Sequence, residues 1–264
     1  MFVVKIGGSL EMPDGLVRDL AACAEPMVVV HGAHRRLDEL SEQLGHPPRM
    51  VTSERGETSR YTDHTTMDHF LMAYAGVTNK RLVERFHRLG RRAFGLTGMD
   101  GAVAVGRRRA SIRIREGERT RVLHDDFAGS IETIDTAPIR ALLELGLLPV
   151  LTPPALSRDG EAINVDGDRL AMELAVALGA GRLMIFADTA GFLRDRHDPA
   201  SVIPRIELAG VAAVLPSAHG RARVKLRACA QAVARGVGAV GLVDGRGEHP
   251  LGAALGGAGT WIVP

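Results

Sequence analysis

The stretch FVVKIGGS (2–9) decides the fold, because it joins a short apolar run to a pair of glycines. The run FVVKI (2–6) predicts a buried strand, and the glycine pair predicts a tight turn where that strand ends. The same pattern returns in PMVVVHG (26–32) and in AFGLTG (93–98). Segments 14–24 and 35–44, which lie between them, carry apolar residues at helical spacing. Strands that alternate with helices predict a mostly parallel sheet covered on both faces.

The rest of the chain continues this alternation. We predict one or two helices over 63–89, further helices over 136–145, 167–178 and 222–235, and strands over 147–156, 182–188, 239–244 and 259–264. Residues 102–124 instead alternate apolar and basic side chains, which predicts an antiparallel hairpin with turns at Gly106 and at Glu116-Gly117. The expected fold class is α/β, a three-layer αβα sandwich around a mostly parallel sheet.

Length and charge narrow the functional classes. The chain has 264 residues and a formal net charge of +2, which is too small to favour nucleic acid as a partner. No apolar run reaches the roughly 18–20 residues that cross a bilayer, and the N-terminus has no basic segment typical of a signal peptide. Two cysteines do not make a disulfide framework. We expect a cytoplasmic enzyme with one domain over 1–264.

The lysines are unusually few. Of 33 basic residues only Lys5, Lys80 and Lys225 are lysines, and the remainder are arginines. A lysine offers a compact point charge, whereas an arginine offers a planar fork. Each lysine kept in such a chain is therefore a candidate for a role that a guanidinium does not fill, although a lysine is ordinarily a solvated surface residue.

Three strand ends carry glycine turns that can present backbone N–H groups to an anion, with glycines at 7–8, at 32, and at 95, 98 and 101. Each turn by itself is equally typical of a tight connection that only needs glycine. Lys5, two residues before the first pair, favours phosphate binding there. Two roles are open for Asp168. Either it or Asp166 could cap the helix at 167–178, or Asp168 could lie between Lys5 and Lys225. Two ammonium groups oriented by one carboxylate would suit phosphoryl transfer.

Six ordered motifs together resemble the amino acid kinase family, in its acetylglutamate kinase branch. They are KIGGS (5–9), VHG (30–32), GLTGMDG (95–101), INVDGD (163–168), ADTAGFL (187–193) and GRARVK (220–225). A finer resemblance, to the branch that acts on aminoadipate or glutamate bound to an amino-group carrier protein of the LysW type, rests on LGHPPR (44–49), SRYTD (59–63), NKRLVE (79–84), GRRRA (106–110), LPVLTPPALS (148–157) and EAINVDGD (161–168).

The resemblance implies an activity and a division of the chain. A kinase of this branch transfers a phosphoryl group from ATP, with Mg²⁺ carried by the nucleotide and no metal site of its own, and forms an acyl phosphate in lysine- or ornithine-type biosynthesis. Residues 1–165 would form a lobe for acyl substrate and carrier, and 166–264 a lobe for nucleotide. Family analogy also implies a homodimer through 63–89.

The resemblance also implies roles for single residues. Lys5 and Lys225 would stabilise the transferring phosphoryl group, and Asp168 would hold both lysines. Gly7, Gly8 and Gly32 would offer backbone N–H groups to that phosphoryl group, with Ala33 beside them, and Asp188, Gly191 and Phe192 would lie along the nucleotide. Arg60 and Asn164 would bind the α-carboxylate of the substrate. Ala33 stands where the family usually has glycine, and a positive φ there would cost about 1 kcal/mol.

The basic hairpin is the predicted carrier surface, with Arg107, Arg108, Arg113 and Arg115 as candidate contacts. Because strand side chains alternate, Arg113 and Arg115 should share one face while Ile112 and Ile114 pack on the other. The alternative is a solvated face balanced by Glu116 and Glu118. Carriers of this type are small and acidic, so the resemblance favours the carrier.

Two other functions stay open from the sequence. A free N-acetylglutamate kinase would share the chemistry but need no carrier surface. A non-catalytic sensor of nucleotide or amino acid would share the fold but need neither lysine.

Overall fold

The structure is a computed structural model that describes residues 1–264 except Glu11, Arg55, Glu57, Gly117, Glu118, Arg196, Pro199 and His219. Its strands are β1 Phe2–Ile6, β2 Met27–His31, β3 Met50–Thr52, β4 Thr58–Arg60, β5 Ala93–Thr97, β6 Ala104–Arg108, β7 Ile112–Glu116, β8 Arg119–Leu123, β9 Gly129–Ile134, β10 Leu148–Thr152, β11 Ala155–Ser157, β12 Ala162–Ile163, β13 Arg182–Ala187, β14 Arg205–Glu207, β15 Ala239–Asp244 and β16 Thr260–Val263.

Helices connect these strands. They are α1 Asp14–Ala22, α2 His34–Gln43, α3 His64–Leu71, α4 Asn79–Arg88, α5 Ala137–Glu144, α6 Gly167–Leu178, α7 Val211–Val214, α8 Gly220–Ala234 and α9 Pro250–Leu255. A π-helical segment, Met72–Thr78, joins α3 to α4, and short 3-10 turns lie at Asp100–Ala102 and Leu208–Gly210. No helix among the described residues is long and apolar enough to cross a membrane.

Among the described residues, the main sheet has eight strands in the order β14-β16-β15-β13-β1-β2-β10-β5. Strand β1 pairs in parallel with β2 on one side and with β13 on the other, over five residues each. The one antiparallel pairing recorded in this sheet joins β15 to β16. Strand order therefore reverses at β1, and the carboxyl edge beside such a reversal is where ligands bind in sheets of this kind.

The core lies on both faces of this sheet. One face packs against α5, α6 and α8 through fully buried residues such as Ile139, Leu170 and Leu226. The other packs against α1, α4 and α9 through residues such as Leu16 and Phe86. The prediction of an α/β sandwich with three layers around a mostly parallel sheet is confirmed.

Smaller sheets flank the main one. Strands β12, β11, β6 and β9 form a four-stranded sheet, while β3–β4 and β7–β8 form separate two-stranded ribbons. The prediction of a turn at Gly106 is wrong, because this residue lies inside β6. A Cβ there would come within 1.9 Å of the Ser130 carbonyl oxygen of β9. Gly106 is therefore explained by the close approach of two strands beside a register shift.

Two other predicted segments are divided. The strand expected over 147–156 ends at Thr152 and resumes at Ala155, because Pro153 and Pro154 have no N–H to donate to a ladder. Residues 63–89 fold as two helices joined by the π-helical segment. The predicted hairpin is present as the antiparallel pair β7 and β8. Its turn was expected at Glu116-Gly117, and Gly117 lies outside the described residues.

Candidate active site

Lys5 is a charged residue on the central strand of the main sheet. Its side chain shares the face of Val3, toward α6, and the residue is only 7% exposed. Its ammonium lies 2.6 Å from a carboxylate oxygen of Asp168. That aspartate is the second residue of α6, and Asp166 is the cap, since its side chain accepts from the Arg169 N–H at 2.9 Å. The geometry of Asp168 therefore fits the second predicted role, an ion pair with lysine, and not the role of helix cap.

Lys225 reaches the same carboxylate from α8. Its ammonium lies 3.3 Å from the second oxygen of Asp168. Burial by itself would raise the pKa of Asp168, but the ammonium groups of Lys5 and Lys225 outweigh it and hold that pKa well below its ordinary value. Two cations and one carboxylate leave a net charge of +1, so the cluster attracts an anion.

The first two glycine turns meet beside this cluster. A Cβ on Gly8 would come within 3.1 Å of the Ala33 nitrogen and 2.6 Å of the His34 ring. The Gly7 N–H donates to the Phe186 carbonyl at 2.9 Å, and the Gly32 N–H donates to that of Ile6 at 3.2 Å. The expectation that both offer their N–H groups to a phosphoryl is therefore corrected, since the sheet uses both. The Gly8 N–H has no bonded acceptor among the described residues.

Ala33 fits its position without strain. Its φ is −149°, which is negative, so the steric cost expected for a positive φ does not arise. The residue is buried, and it packs in a small apolar cluster with Leu37, Phe70 and Tyr74. Burial raises the pKa of the Tyr74 hydroxyl to about 12, while the Ala33 N–H opposes the rise. That hydroxyl stays neutral at physiological pH.

Arg60 and Asn164 also belong to the site. Arg60 ends β4 and forms an ion pair with Asp38 of α2. Its Nη1 is buried and has no hydrogen-bond partner among the described residues. The Asn164 amide donates to the Thr62 hydroxyl at 2.9 Å, and the Thr62 N–H donates to the buried Asp126 carboxylate at 3.1 Å. Arg60 and Asn164 therefore bring a guanidinium and an amide to the same cleft.

Sequence reasoning missed Asp38, Thr62 and Asp126. Asp38 lies among charged residues on a polar helix, where nothing marks it apart from a solvated side chain. Thr62 lies inside the SRYTD motif, which was a signal for it, but the motif did not identify its partners. Asp126 is 1% exposed, and burial raises the pKa of its carboxyl group.

One cleft connects these groups. It has a volume of about 1220 Å³ and opens at the carboxyl edge of the main sheet. The predicted residues that line it are Lys5, Gly7, Gly8, Gly32, Arg60, Asn164, Asp168, Asp188, Gly191, Phe192 and Lys225. Gly191 has a φ of +148°, and a Cβ there would lie 2.6 Å from the Thr260 hydroxyl, so the turn requires glycine. Among the described residues no group of three or more histidine, cysteine, aspartate or glutamate side chains is placed to hold a metal ion.

The predicted carrier arginines lie outside the cleft lining. Arg113 and Arg115 are exposed on β7, while Ile112 and Ile114 are buried behind them. The Glu54 N–H donates to the Arg113 carbonyl at 3.2 Å, which joins β7 to the ribbon β3–β4 that rims the cleft.

The other two arginines of that set have internal contacts. Arg108 stacks on Phe127 at 3.8 Å from the ring centre, and it lies 3.1 Å from the Glu161 carboxylate. Arg107 lies 3.6 Å from Glu132 with 70% of its side chain exposed. Of these four arginines, Arg113 and Arg115 are therefore the exposed pair on the ribbon β7–β8, and Arg107 is exposed on β6.

Lys80 is the one lysine that does not line the cleft. It lies on α4, where its ammonium donates to the Gly95 carbonyl at 3.0 Å. The third glycine turn at 95–101 likewise does not line the cleft.

Comparisons with known proteins identify the family of this chain. The model of the amino acid kinase family matches residues 1–243. A LysW-aminoadipate kinase of Deinococcus radiodurans is 46% identical, over 99% of this chain and 91% of the relative. A LysW-aminoadipate kinase of Thermus thermophilus is 39% identical, over 99% of this chain and 100% of the relative.

Solved structures share the fold at low identity. An N-acetylglutamate synthase from Neisseria gonorrhoeae, complexed with coenzyme A and L-arginine, superposes with a TM-score of 0.75 at 21% identity, over 99% of this chain and 61% of that one. A carbamate kinase from Giardia superposes with a TM-score of 0.69 at 13% identity, over 100% of this chain and 98% of that one. At these identities the structural similarity shows only that the fold is shared.

Proposed function

Because this chain belongs to the amino acid kinase family, we propose that it transfers the γ-phosphoryl group of ATP to a carboxylate. The acceptor is the side-chain carboxylate of aminoadipate or glutamate, carried by a small acidic protein of the LysW type. The product is an acyl phosphate, as lysine- or ornithine-type biosynthesis requires. The observation that carries this proposal is the convergence of Lys5 and Lys225 on Asp168 inside one cleft.

The chemistry needs charge stabilisation more than proton transfer. A carboxylate is ionised at neutral pH, so its oxygen attacks the γ-phosphorus without a general base while the bond to the leaving ADP breaks. Lys5 and Lys225 stabilise the charge on the equatorial oxygens, and Asp168 keeps both ammonium groups in place. The Gly8 N–H is a further donor for the same group. Mg²⁺, bound to the nucleotide phosphates, would neutralise part of their charge.

The residues fit a nucleotide and an acyl substrate at opposite ends of the cleft. The turn with Asp188, Gly191 and Phe192 lines the end for the nucleotide. Arg60 and Asn164 bind the α-carboxylate of the acceptor, for which the unpaired, buried Nη1 of Arg60 is a ready donor. Asp38 orients that guanidinium.

The basic ribbon β7–β8 binds the carrier. Support comes from the names of the relatives, which include LysW, and from the exposed Arg113 and Arg115 on a ribbon continuous with the rim of the cleft. Opposite charge across this contact would steer the acidic carrier and fix its orientation. A homodimer through 63–89 and a cytoplasmic location remain predictions.

The deciding experiment measures ADP formation and acyl phosphate, trapped as hydroxamate, with three acceptors. These are carrier-bound aminoadipate, carrier-bound glutamate and free N-acetylglutamate. We expect turnover with a carrier-bound acceptor, and we expect kcat/KM for the free acceptor to be far lower. Equal or better turnover with N-acetylglutamate would contradict the carrier and favour the free-substrate kinase.

A second measurement separates the kinase from a sensor. In Lys5→Arg the compact ammonium beside Asp168 is replaced by a longer, planar guanidinium, which does not place a single point charge at the same position. The kinase should lose at least about a hundredfold in kcat, which is the scale of one lost transition-state donor. A sensor would show no ADP formation in the parent protein either.

A further inference from the structure

His31 precedes the second glycine turn and is fully buried on the sheet face opposite Lys5. It shares the face of Val29, toward α4, and its backbone carbonyl accepts from the Thr152 hydroxyl at 3.1 Å. Its Nε2 lies 3.1 Å from the Asn79 amide nitrogen, and its Nδ1 lies 3.4 Å from the Gly32 carbonyl. The imidazole therefore connects α4 to the turn that meets Gly8.

The orientation of the Asn79 amide is fixed by two other partners. Its nitrogen donates to the Val150 carbonyl at 2.9 Å, and its oxygen accepts from the Lys80 ammonium at 3.3 Å. A flipped amide would set oxygen against oxygen at Val150 and NH₂ against an ammonium at Lys80. The amide nitrogen, with its protons, therefore faces the His31 ring.

A glycine makes room for this arrangement. A Cβ on Gly95 would lie 2.0 Å from the Asn79 amide oxygen and 3.0 Å from the Lys80 ammonium. The third glycine turn, which the cleft does not use, thus begins with a residue whose missing side chain admits the amide and the ammonium. Lys80 in turn is held by the Gly95 carbonyl.

From this geometry we propose that Lys80 and Asn79 hold His31 as a neutral imidazole with its proton on Nδ1, which makes His31 a positioning residue for the phosphoryl turn. An N–H of Asn79 aimed at Nε2 requires a lone pair there, so the ring proton is on Nδ1, toward the Gly32 carbonyl. Gly32 in turn abuts Gly8, since a Cβ on Gly32 would lie 3.2 Å from the Gly8 nitrogen. The ring therefore fixes the position of the Gly8 N–H.

The charged groups around His31 favour the same state. The pKa of His31 is lowered to about 4, mainly by burial; the Gly32 carbonyl opposes the change, and the positive charges of Lys5 and Lys80 contribute to it. An imidazolium would also set two N–H donors against each other at Asn79. His31 therefore carries no charge at the pH where a kinase works.

Nitrogen NMR tests the tautomer without any substrate. Long-range ¹H–¹⁵N spectra of the ¹⁵N-labelled protein, with His31 assigned by its loss in His31→Gln, should show a neutral ring with the proton on Nδ1 throughout pH 5–8. A proton on Nε2, or an imidazolium at pH 7, would overturn the proposal.

Kinetics test the positioning role, which rests on the proposed function. In Asn79→Asp a carboxylate accepts from Nε2–H, so His31 gains a proton and its pKa rises. The variant should then lose about tenfold in kcat/KM for ATP between pH 8 and pH 6, where the parent is nearly flat. Lys80→Met should lower kcat/KM for ATP about three- to tenfold, as expected for one lost hydrogen-bond anchor.

A matched control is Arg81→Met on the same helix, whose ion pair with Glu84 is exposed. It should equal the parent in rate and pH profile. An Asn79→Asp protein that is folded and keeps the parental pH profile, or a Lys80→Met protein with parental rates, would contradict the inference. Failure of the proposed function would instead appear as no ADP formation by the parent, whatever the state of its imidazole.

Discussion

Replacing Asp168 by asparagine removes the charge that holds two ammonium groups together. Lys5 and Lys225 lie 2.6 Å and 3.3 Å from its two oxygens, and 20% of the Asp168 side chain is exposed. Breaking a fully buried pair costs about 3–5 kcal/mol, and partial exposure reduces that figure, so we expect a loss of about 2–3 kcal/mol. For a chain of this size that corresponds to a fall in Tm of about 5–10 °C.

The same change should lower kcat more than it raises KM for ATP. The two ammonium groups repel each other once the carboxylate is gone, and they no longer converge on the transferring group. We expect a loss of about a hundredfold in kcat, measured by ADP release with saturating carrier-bound acceptor.

The effect of pH on stability follows from the lowered pKa of Asp168. A carboxyl group whose pKa is depressed in the folded state stabilises the protein above its unfolded pKa, about 3.9, and loses that contribution as pH falls through the folded pKa. The difference in Tm between the parent and Asp168→Asn should therefore be complete at pH 7 and shrink below about pH 4.

Glu173 supplies a matched control on the same helix. Its carboxylate also bridges two cations, Arg169 and Arg235, each at 2.9 Å, but it does not line the cleft. Glu173→Gln should lower Tm and leave kcat unchanged. The reasoning is refuted if Asp168→Asn keeps the parental kcat, or if both variants lose activity equally.

Two further changes test the acceptor side. Arg113→Glu combined with Arg115→Glu should raise KM for the carrier-bound acceptor at least about tenfold, because attraction becomes repulsion, while KM for ATP stays constant. If KM for the acceptor is unchanged at low salt, the ribbon β7–β8 is not part of the carrier interface. Asp38→Ala should raise KM for the acceptor about three- to tenfold, because the ion pair that orients Arg60 is lost, and it should leave KM for ATP unaffected. An equal rise in both KM values would mean that Asp38 supports the cleft as a whole.

The sequence predicts most of the fold because its strands are short, apolar and bounded by glycine. The bounds of β1, α6 and β15 agree with the prediction residue for residue. Gly106 was misread because a glycine that permits close strand approach looks, in the sequence, like one that permits a turn.

The sequence predicted those site residues whose type is rare in this chain, such as the lysines. Lys5 and Lys225 stand out among thirty arginines, and both line the cleft. Lys80 stands out equally but lies on α4, so rarity alone does not separate a lysine that lines the cleft from one that lies outside it. Asp38 and Thr62 act through partners distant in sequence, which spacing along the chain does not encode.

The proposed acceptor residue Arg60 and the proposed phosphoryl residue Lys5 lie on different sheets. Lys5 is fixed between two five-residue parallel ladders, whereas Arg60 ends a three-residue strand of a separate ribbon. Changes in length or sequence of that ribbon leave the central ladders untouched. A change in this peripheral hairpin could therefore alter which acceptor the protein binds, while the residues proposed for phosphoryl transfer stay unchanged.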